Sequence, residues 1–192
     1  MSKPQINATH YDRIPVRPDG KPKKAVVNMV VETPKNSCQK FALNPEYGMI
    51  AFHSLLPKSL EWPYDYGFVP QTIAPDKDPL DLLIINEKGL FSGCLIQARV
   101  IDAIREAKDN TENDRLIGVP LPSPGAPLPT DAYKNITDVP AGDLYRIKQF
   151  LVDYSASQGH TINIKKVIGR KKALALIESA NKKFVKKKPV PQ

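Results

Sequence analysis

Apolar residues fall in two rhythms along this chain, and the rhythm changes after its middle. In the first part, short β-branched and aliphatic runs are bounded by Gly, Pro, Asn and Asp, the pattern of strands and turns. Ala25-Val26-Val27-Asn28-Met29-Val30-Val31 predicts a buried strand. Lys40–Leu43 and Gly48–Phe52 flank Asn44-Pro45-Glu46-Tyr47, which predicts a hairpin. Leu80–Ile85, Cys94–Ile104 and Arg115–Val119 predict further strands, the last closed by Pro120. The proline-rich stretch 121–129 can be neither helix nor central strand. Beyond it Leu144, Ile147, Phe150, Leu151 and Tyr154 recur at helical spacing, so a helix is predicted from Ala141 to Tyr154, entered through Asp138-Val139-Pro140. A second helix is predicted near the end, with Leu174, Ile177 and Phe184 on one side and lysines elsewhere. Strands first and helices later suit an α+β domain whose strands can close into a small barrel. Residues 1–23, with Pro4, Pro15, Pro18 and Pro22, read as an extended arm laid over a domain spanning 24–164. The basic segment 165–192 belongs to the same domain as a helix and tail.

Composition changes this picture in one respect, charge. The 192 residues are 41% apolar and 25% charged, ordinary for a globular chain with a sizeable core. Of the net charge of +8, residues 165–192 hold more than all, with ten Lys or Arg against Glu178 alone; the remainder is close to neutral. Basicity therefore belongs to the tail, which speaks against a nucleic-acid-binding body. The tail reads as a solvated end rather than a nucleic-acid or membrane contact. Without an apolar run of about 18 residues no membrane helix is expected. The N-terminus has no apolar leader pattern, so a cytoplasmic protein is expected. Cys38 and Cys94 show no metal or disulfide spacing and read as buried thiols.

The segment richest in chemistry is Asp76-Lys77-Asp78-Pro79-Leu80-Asp81. Pro79 keeps Asp78 out of helix, so the stretch is extended or turned, and three carboxylates gather at the mouth of an apolar strand. At about 5 Å and an effective dielectric near 20, each pair repels by roughly 3 kcal/mol. A cation relieves that repulsion, and all-oxygen ligation favours Mg²⁺ or a relative over zinc. Just upstream stands the aromatic run Trp62–Pro70.

PYDYGFVPQT at 63–72 followed by DKDPLD at 76–81 resembles the soluble (family I) inorganic pyrophosphatases. Glu32-Thr33-Pro34, Lys40-Phe41, Gly93, Arg99 and the segment Asn113–Pro120 add to the resemblance, which covers about residues 26–160. It implies a five-stranded OB-type β-barrel with flanking C-terminal helices. It further implies Mg²⁺-dependent hydrolysis of pyrophosphate to two phosphates, with Mn²⁺ as the alternative metal, and a homo-oligomer. Carried over by position, Asp76, Asp81 and Asp114 would ligate the tighter metal, with Asp109 and Glu32 assisting further ions. Asp78 would activate the attacking water; Lys40, Tyr66, Arg115 and Tyr154 would hold phosphoryl oxygens.

The resemblance is uneven. Matching the spacing of the last acids pairs Asp109 with Asp114, whereas anchoring on Val119-Pro120 puts Lys108 and Asn113 there; the first keeps carboxylates where cations are expected. Ala42 stands where many members carry a Glu, Ser54 replaces a basic phosphate ligand, Trp62 a Tyr or Phe, and Ser155 a Lys. Two absent cations imply a weakened phosphate shell, for which Lys35 or Lys58 are the candidate substitutes, and leave open a relative that binds ligand without hydrolysis. His10, His53 and His160 share no ligand spacing and read as surface or packed histidines, His53 being nearest the expected site.

Overall fold

The β-branched runs become strands and the 3.6-period segments helices. The computed structural model describes residues 10–18, 25–109, 111–121 and 128–187. In chain order the elements are β1 (Val26–Thr33), β2 (Gln39–Asn44), β3 (Met49–Leu55), β4 (Asp65–Val69), β5 (Leu80–Ile84) and β6 (Leu95–Lys108). They continue with β7 (Thr111–Glu112), β8 (Arg115–Pro120), α1 (Ala141–Ser157), β9 (Ile162–Val167) and α2 (Arg170–Lys187). Strands run in the order β1-β4-β5-β8-β6, and β6 pairs back with β1, closing a five-stranded barrel. Only the β5–β8 pairing within it is parallel. The hairpin β2–β3 stands off the barrel as its own two-stranded sheet. The fold is the expected α+β, OB-type barrel with helices following.

Period-two alternation divides the apolar side chains between two cores. Leu80, Leu82 and Ile84 of β5 join Val27, Met29 and Val31 of β1 and Ala173, Ile177 and Ala180 of α2. Leu83 and Ile85 join Ile101, Ile104 and Ile117 against Ile147, Phe150 and Leu151 of α1. Leu144, Ile147, Phe150, Leu151 and Tyr154 all belong to or pack on this second core, as their spacing predicts.

Three differences from the sequence reading have physical causes. β4 lies inside the aromatic run, where every residue is buried, so no alternation betrays a strand. Gly67 there is dictated by proximity: a Cβ would stand 2.0 Å from the Val30 carbonyl oxygen, beside the irregular register of β1 and β4. β9, which the sequence reading leaves unassigned, is half-exposed and pairs along β6, whose strand runs on to Lys108 because β7, β9 and the start of β8 bond to its far half. The thiols are not buried as expected: Cys38 is exposed in the turn before β2 and Cys94 half-buried. Of the arm, residues 10–18 lie on the body, where Tyr11 meets Phe68 edge-on and Arg17 pairs with Glu178 of α2. Most of the proline-rich stretch and the end of the tail, residues 122–127 and 188–192, lie outside the described residues.

Candidate active site

Alternation also aims the polar groups. Because Leu80, Leu82 and Ile84 face α2, Asp81 must face α1 alongside Leu83, and Arg115 does so alongside Ile117 on β8. There Arg115 Nη1 donates to Asp81 Oδ2 at 2.5 Å and to the Tyr66 hydroxyl at 3.0 Å, and Nε donates to Glu106 Oε1 at 2.7 Å. The guanidinium is thus held between two acids, and Asp81 is also hydrogen-bonded by Tyr66.

The loop before β5 explains why the two sequence motifs lie so close. Thr72, near the end of the aromatic motif, donates to the Val69 carbonyl at 2.6 Å and accepts from Leu80 N–H at 2.9 Å, pinching the loop at its neck. Inside it, Ala74 N–H donates to the Asp78 carbonyl at 2.8 Å, and Asp78 N–H to Asp76 Oδ1 at 3.1 Å. Lys77 takes a left-handed φ of 79°. Of the two conformations the sequence allowed, the stretch is turned. Asp76, Asp78 and Asp81 line one wall of a cleft of about 550 Å³.

Lys40, from β2, and Tyr154, from α1, reach the same cleft, with the Lys40 ammonium 5.5 Å from the Tyr154 ring centroid. Trp62 supports them from below: its ring lies 4.7 Å from Tyr66, 4.8 Å from Phe150 and 5.4 Å from Tyr154. This aromatic packing holds α1 against β4.

Crowded carboxylates hold their protons more tightly than usual. Burial pushes Asp78 up, with Asp76 and Asp81 adding repulsion; Asp81 is pushed up by burial while Arg115 opposes it. Glu32, buried behind them on β1 with Oε1 accepting from Leu43 N–H at 2.7 Å, is raised to about 7, by burial first and then by Asp81 and Asp78.

The facing wall is different. Asp114 is turned away from the cleft, because Arg115 next to it faces in: Oδ2 accepts from Arg105 at 3.2 Å and Oδ1 from Glu106 N–H at 3.2 Å. Asp109 does reach the cleft, but both its oxygens are engaged, Oδ2 with His160 Nδ1 at 2.6 Å and Oδ1 with Thr161 N–H at 3.0 Å. Lys108 and Asn113, the alternative pairing, line the cleft instead. Ser155 lines it too, whereas Lys35 is spent on the Asn86 and Glu87 carbonyls at 2.9 and 3.0 Å.

Sequence reasoning missed Asp65 and Glu106. Asp65 ties three loops, accepting from Lys35 N–H at 2.9 Å, from Leu90 N–H at 3.0 Å and from Asn86. Glu106 is fully buried on β6, and no local signal marked it, because Arg105 before it and Lys108 after it make that end of the strand read as exposed.

Among the described residues no group of three His, Cys, Asp or Glu is close enough to enclose a metal. The aspartate wall nevertheless offers only hard oxygen donors whose mutual repulsion a divalent cation would relieve, so the residues fit one there. The facing wall, with an ammonium group at Lys108, does not fit one.

The family model for inorganic pyrophosphatase matches residues 29–185. An inorganic pyrophosphatase of Thermus thermophilus is 32% identical over 161 residues, 84% of this chain and 90% of that one. One of Geobacillus stearothermophilus is 31% identical over 163 residues, 85% and 96% respectively. The crystal structure of a Thermus thermophilus inorganic pyrophosphatase superposes with a TM-score of 0.80 at 29% identity, covering 90% of this chain and 98% of that one. One from Neisseria gonorrhoeae gives 0.82 at 25% identity, covering 91% and 99%. Barrel, turn-borne aspartates and matched sequence agree: the chain belongs to the inorganic pyrophosphatase family.

Proposed function

We propose that this chain hydrolyses inorganic pyrophosphate to two phosphates, with a divalent metal as cofactor and Mg²⁺ as that metal, Mn²⁺ being able to replace it. The observation that carries the reading is the placement of Asp76, Asp78 and Asp81 on one cleft wall with Lys40, Tyr66 and Tyr154 around them, in a chain of this family. Asp76 and Asp81 are the residues to hold the ion, with Glu32 behind them. A hard divalent cation there supplies neutralisation of the polyanion and a lower pKa for nearby water.

The chain's own groups do the rest. Asp78, fixed by its turn, takes the proton of the attacking water at its carboxylate; the raised affinity of that carboxylate for a proton suits a general base. Lys40 and Tyr154 meet phosphoryl oxygens on the hairpin and helix side. Arg115 has Nε and Nη1 engaged, so its Nη2 is what it offers to substrate, while Nη1 orients Asp81. The Tyr66 hydroxyl completes that set. Asp109 and Asp114, engaged as they are, serve the walls of the cleft rather than an ion.

The test is phosphate release from pyrophosphate with Mg²⁺ present. Turnover that requires the metal supports the reading; none above background at any metal concentration rejects it. We place the protein in the cytoplasm, where its unbridged Cys38 and Cys94 would stay reduced. No helix among the described residues is long and apolar enough to cross a membrane. We also read it as self-associating: Met49, Phe52 and Leu55 of the hairpin are exposed apolar side chains, and light scattering on the purified chain decides the point.

A further inference from the structure

We propose that the cleft wall facing the aspartates binds a phosphoryl group directly, through the Lys108 ammonium and the His160 imidazole that Asp109 holds, instead of through further metal ions. The proposal rests on the pyrophosphate reading and deepens it, since it names how a polyanion with two phosphoryl groups is divided between the walls.

That wall is built to be rigid. Lys108 ends β6 with its backbone in register with Thr111 on one side and Ile162 on the other. The next residue, Asp109, adopts a left-handed φ of 48°, and its N–H donates to the Thr161 carbonyl at 3.0 Å. The Asp109 carboxylate returns to the same segment, taking Thr161 N–H at 3.0 Å and His160 Nδ1 at 2.6 Å. Three bonds therefore clamp the end of β6 to the start of β9, and His160 is the side chain caught between.

A carboxylate only accepts, so the proton of this pair sits on Nδ1 and Nε2 is left for the cleft that His160 lines. A phosphoryl oxygen at Nε2 would place the ring between two oxygen anions, so that a doubly protonated ring donates one charge-assisted hydrogen bond to Asp109 and one to the substrate. Lys108 lines the same wall and supplies a point charge, and the Asn113 amide adds a neutral donor. Among the described residues no carboxylate on this wall is free to hold a cation, because Asp109 is engaged at both oxygens and Asp114 faces Arg105. Metal-held charge on the aspartate wall and covalently attached charge on the facing wall would then share the substrate. This also answers where charge comes from when Ser54 and Ser155 stand in place of basic residues.

Methylenediphosphonate, a pyrophosphate analogue with an unhydrolysable P–C–P bridge, is the probe. It is titrated by calorimetry into the full chain with Mg²⁺ present, beside steady-state hydrolysis. Lys108→Met and His160→Ala are each expected to weaken analogue binding and raise KM roughly ten- to hundredfold, the size of a lost charge-assisted hydrogen bond, with kcat falling less. His160→Gln, which keeps a donor near Nε2, recovers part of the loss, and Lys88→Met, whose exposed side chain lies outside the cleft, changes nothing. Analogue affinity within twofold of wild type in both Lys108→Met and His160→Ala overturns the proposal. A measurement on the wild-type chain needs no variant to fold: the His160 ring ¹⁵N resonances shift when the analogue is added, and their failure to move overturns it equally. Analogue binding that depends on Lys108 and His160 supports the proposal even without phosphate release, the outcome that rejects the hydrolytic reading by itself.

Discussion

Two residues eleven positions apart in sequence, Gly67 and Asp78, show how differently a residue can matter. Asp78 sits at the cleft with its proton affinity raised by burial and by its acidic neighbours, and nothing in the barrel leans on its carboxylate. Asp78→Asn keeps the shape and removes the base, so kcat for pyrophosphate is expected to fall about 10²–10⁴-fold while the melting temperature stays within a few degrees. A variant retaining more than about a tenth of wild-type kcat would take the base role away from Asp78. Gly67 has no chemistry at all, yet a methyl group there would stand 2.0 Å from the Val30 carbonyl oxygen, which is backbone and cannot swing aside. Gly67→Ala is therefore expected to cost about 1–3 kcal/mol or more as β1 and β4 separate, read as a lower urea midpoint. An unchanged midpoint would show that the bulge between Val31 and Thr33 absorbs the strain. Glycine in the motif serves strand approach, and aspartate in the next motif serves chemistry.

Each helix covers one core, and only one of those cores borders the cleft. Ile177 of α2 packs with Leu82 and Val100, away from the aspartates, whereas Phe150 of α1 packs on Trp62 and stacks on Tyr154. Removing either side chain opens a cavity worth roughly 2–5 kcal/mol. The two are expected to separate in kinetics: Ile177→Ala lowers the thermal midpoint and leaves KM alone, while Phe150→Ala lowers the midpoint and raises KM as Tyr154 loses its support. Equal KM in both would mean that Tyr154 contributes nothing to substrate binding.

Helix α1 and strand β4 show what could be read beforehand. Helix α1 declared itself because Leu144, Ile147, Phe150 and Leu151 keep the helical period over an exposed opposite face. Strand β4 did not, because total burial erases alternation and leaves only aromatic composition. Asp76, Asp78 and Asp81 were legible because local chain direction brings them together. Asp114 was not, since a one-residue choice of alignment turns a strand side chain to the opposite face, and Arg115 takes the inward position. His160 was invisible for another reason: its partner Asp109 is 51 residues away and meets it only because β9 returns along β6.

For the molecule as a whole, the consequence of gathering acids into one cleft is a stability that depends on pH and on metal together. Glu32, buried, holds its proton to about 7 when folded against an ordinary 4.5, and burial raises Asp78, Asp81 and Glu106 in the same direction. Between those two pH values the folded chain binds more protons than the unfolded one, so stability is greatest below about 4.5 on this account and is lost as pH rises towards 7. For Glu32 alone the loss is about 3 kcal/mol. His53, pushed down by burial and by Lys40, works the other way below its ordinary value of 6.5, but it is one exposed side chain against four acids. In EDTA, the urea midpoint is therefore expected to be lower at pH 8 than at pH 5, and Glu32→Gln to flatten much of the difference. Mg²⁺ competes with protons for the same carboxylates, so its addition raises the midpoint more at pH 8 than at pH 5. A midpoint that rises with pH in EDTA, or a metal effect equal at the two, would mean that the acids are already satisfied within the fold and that the cleft is not strained towards a cation.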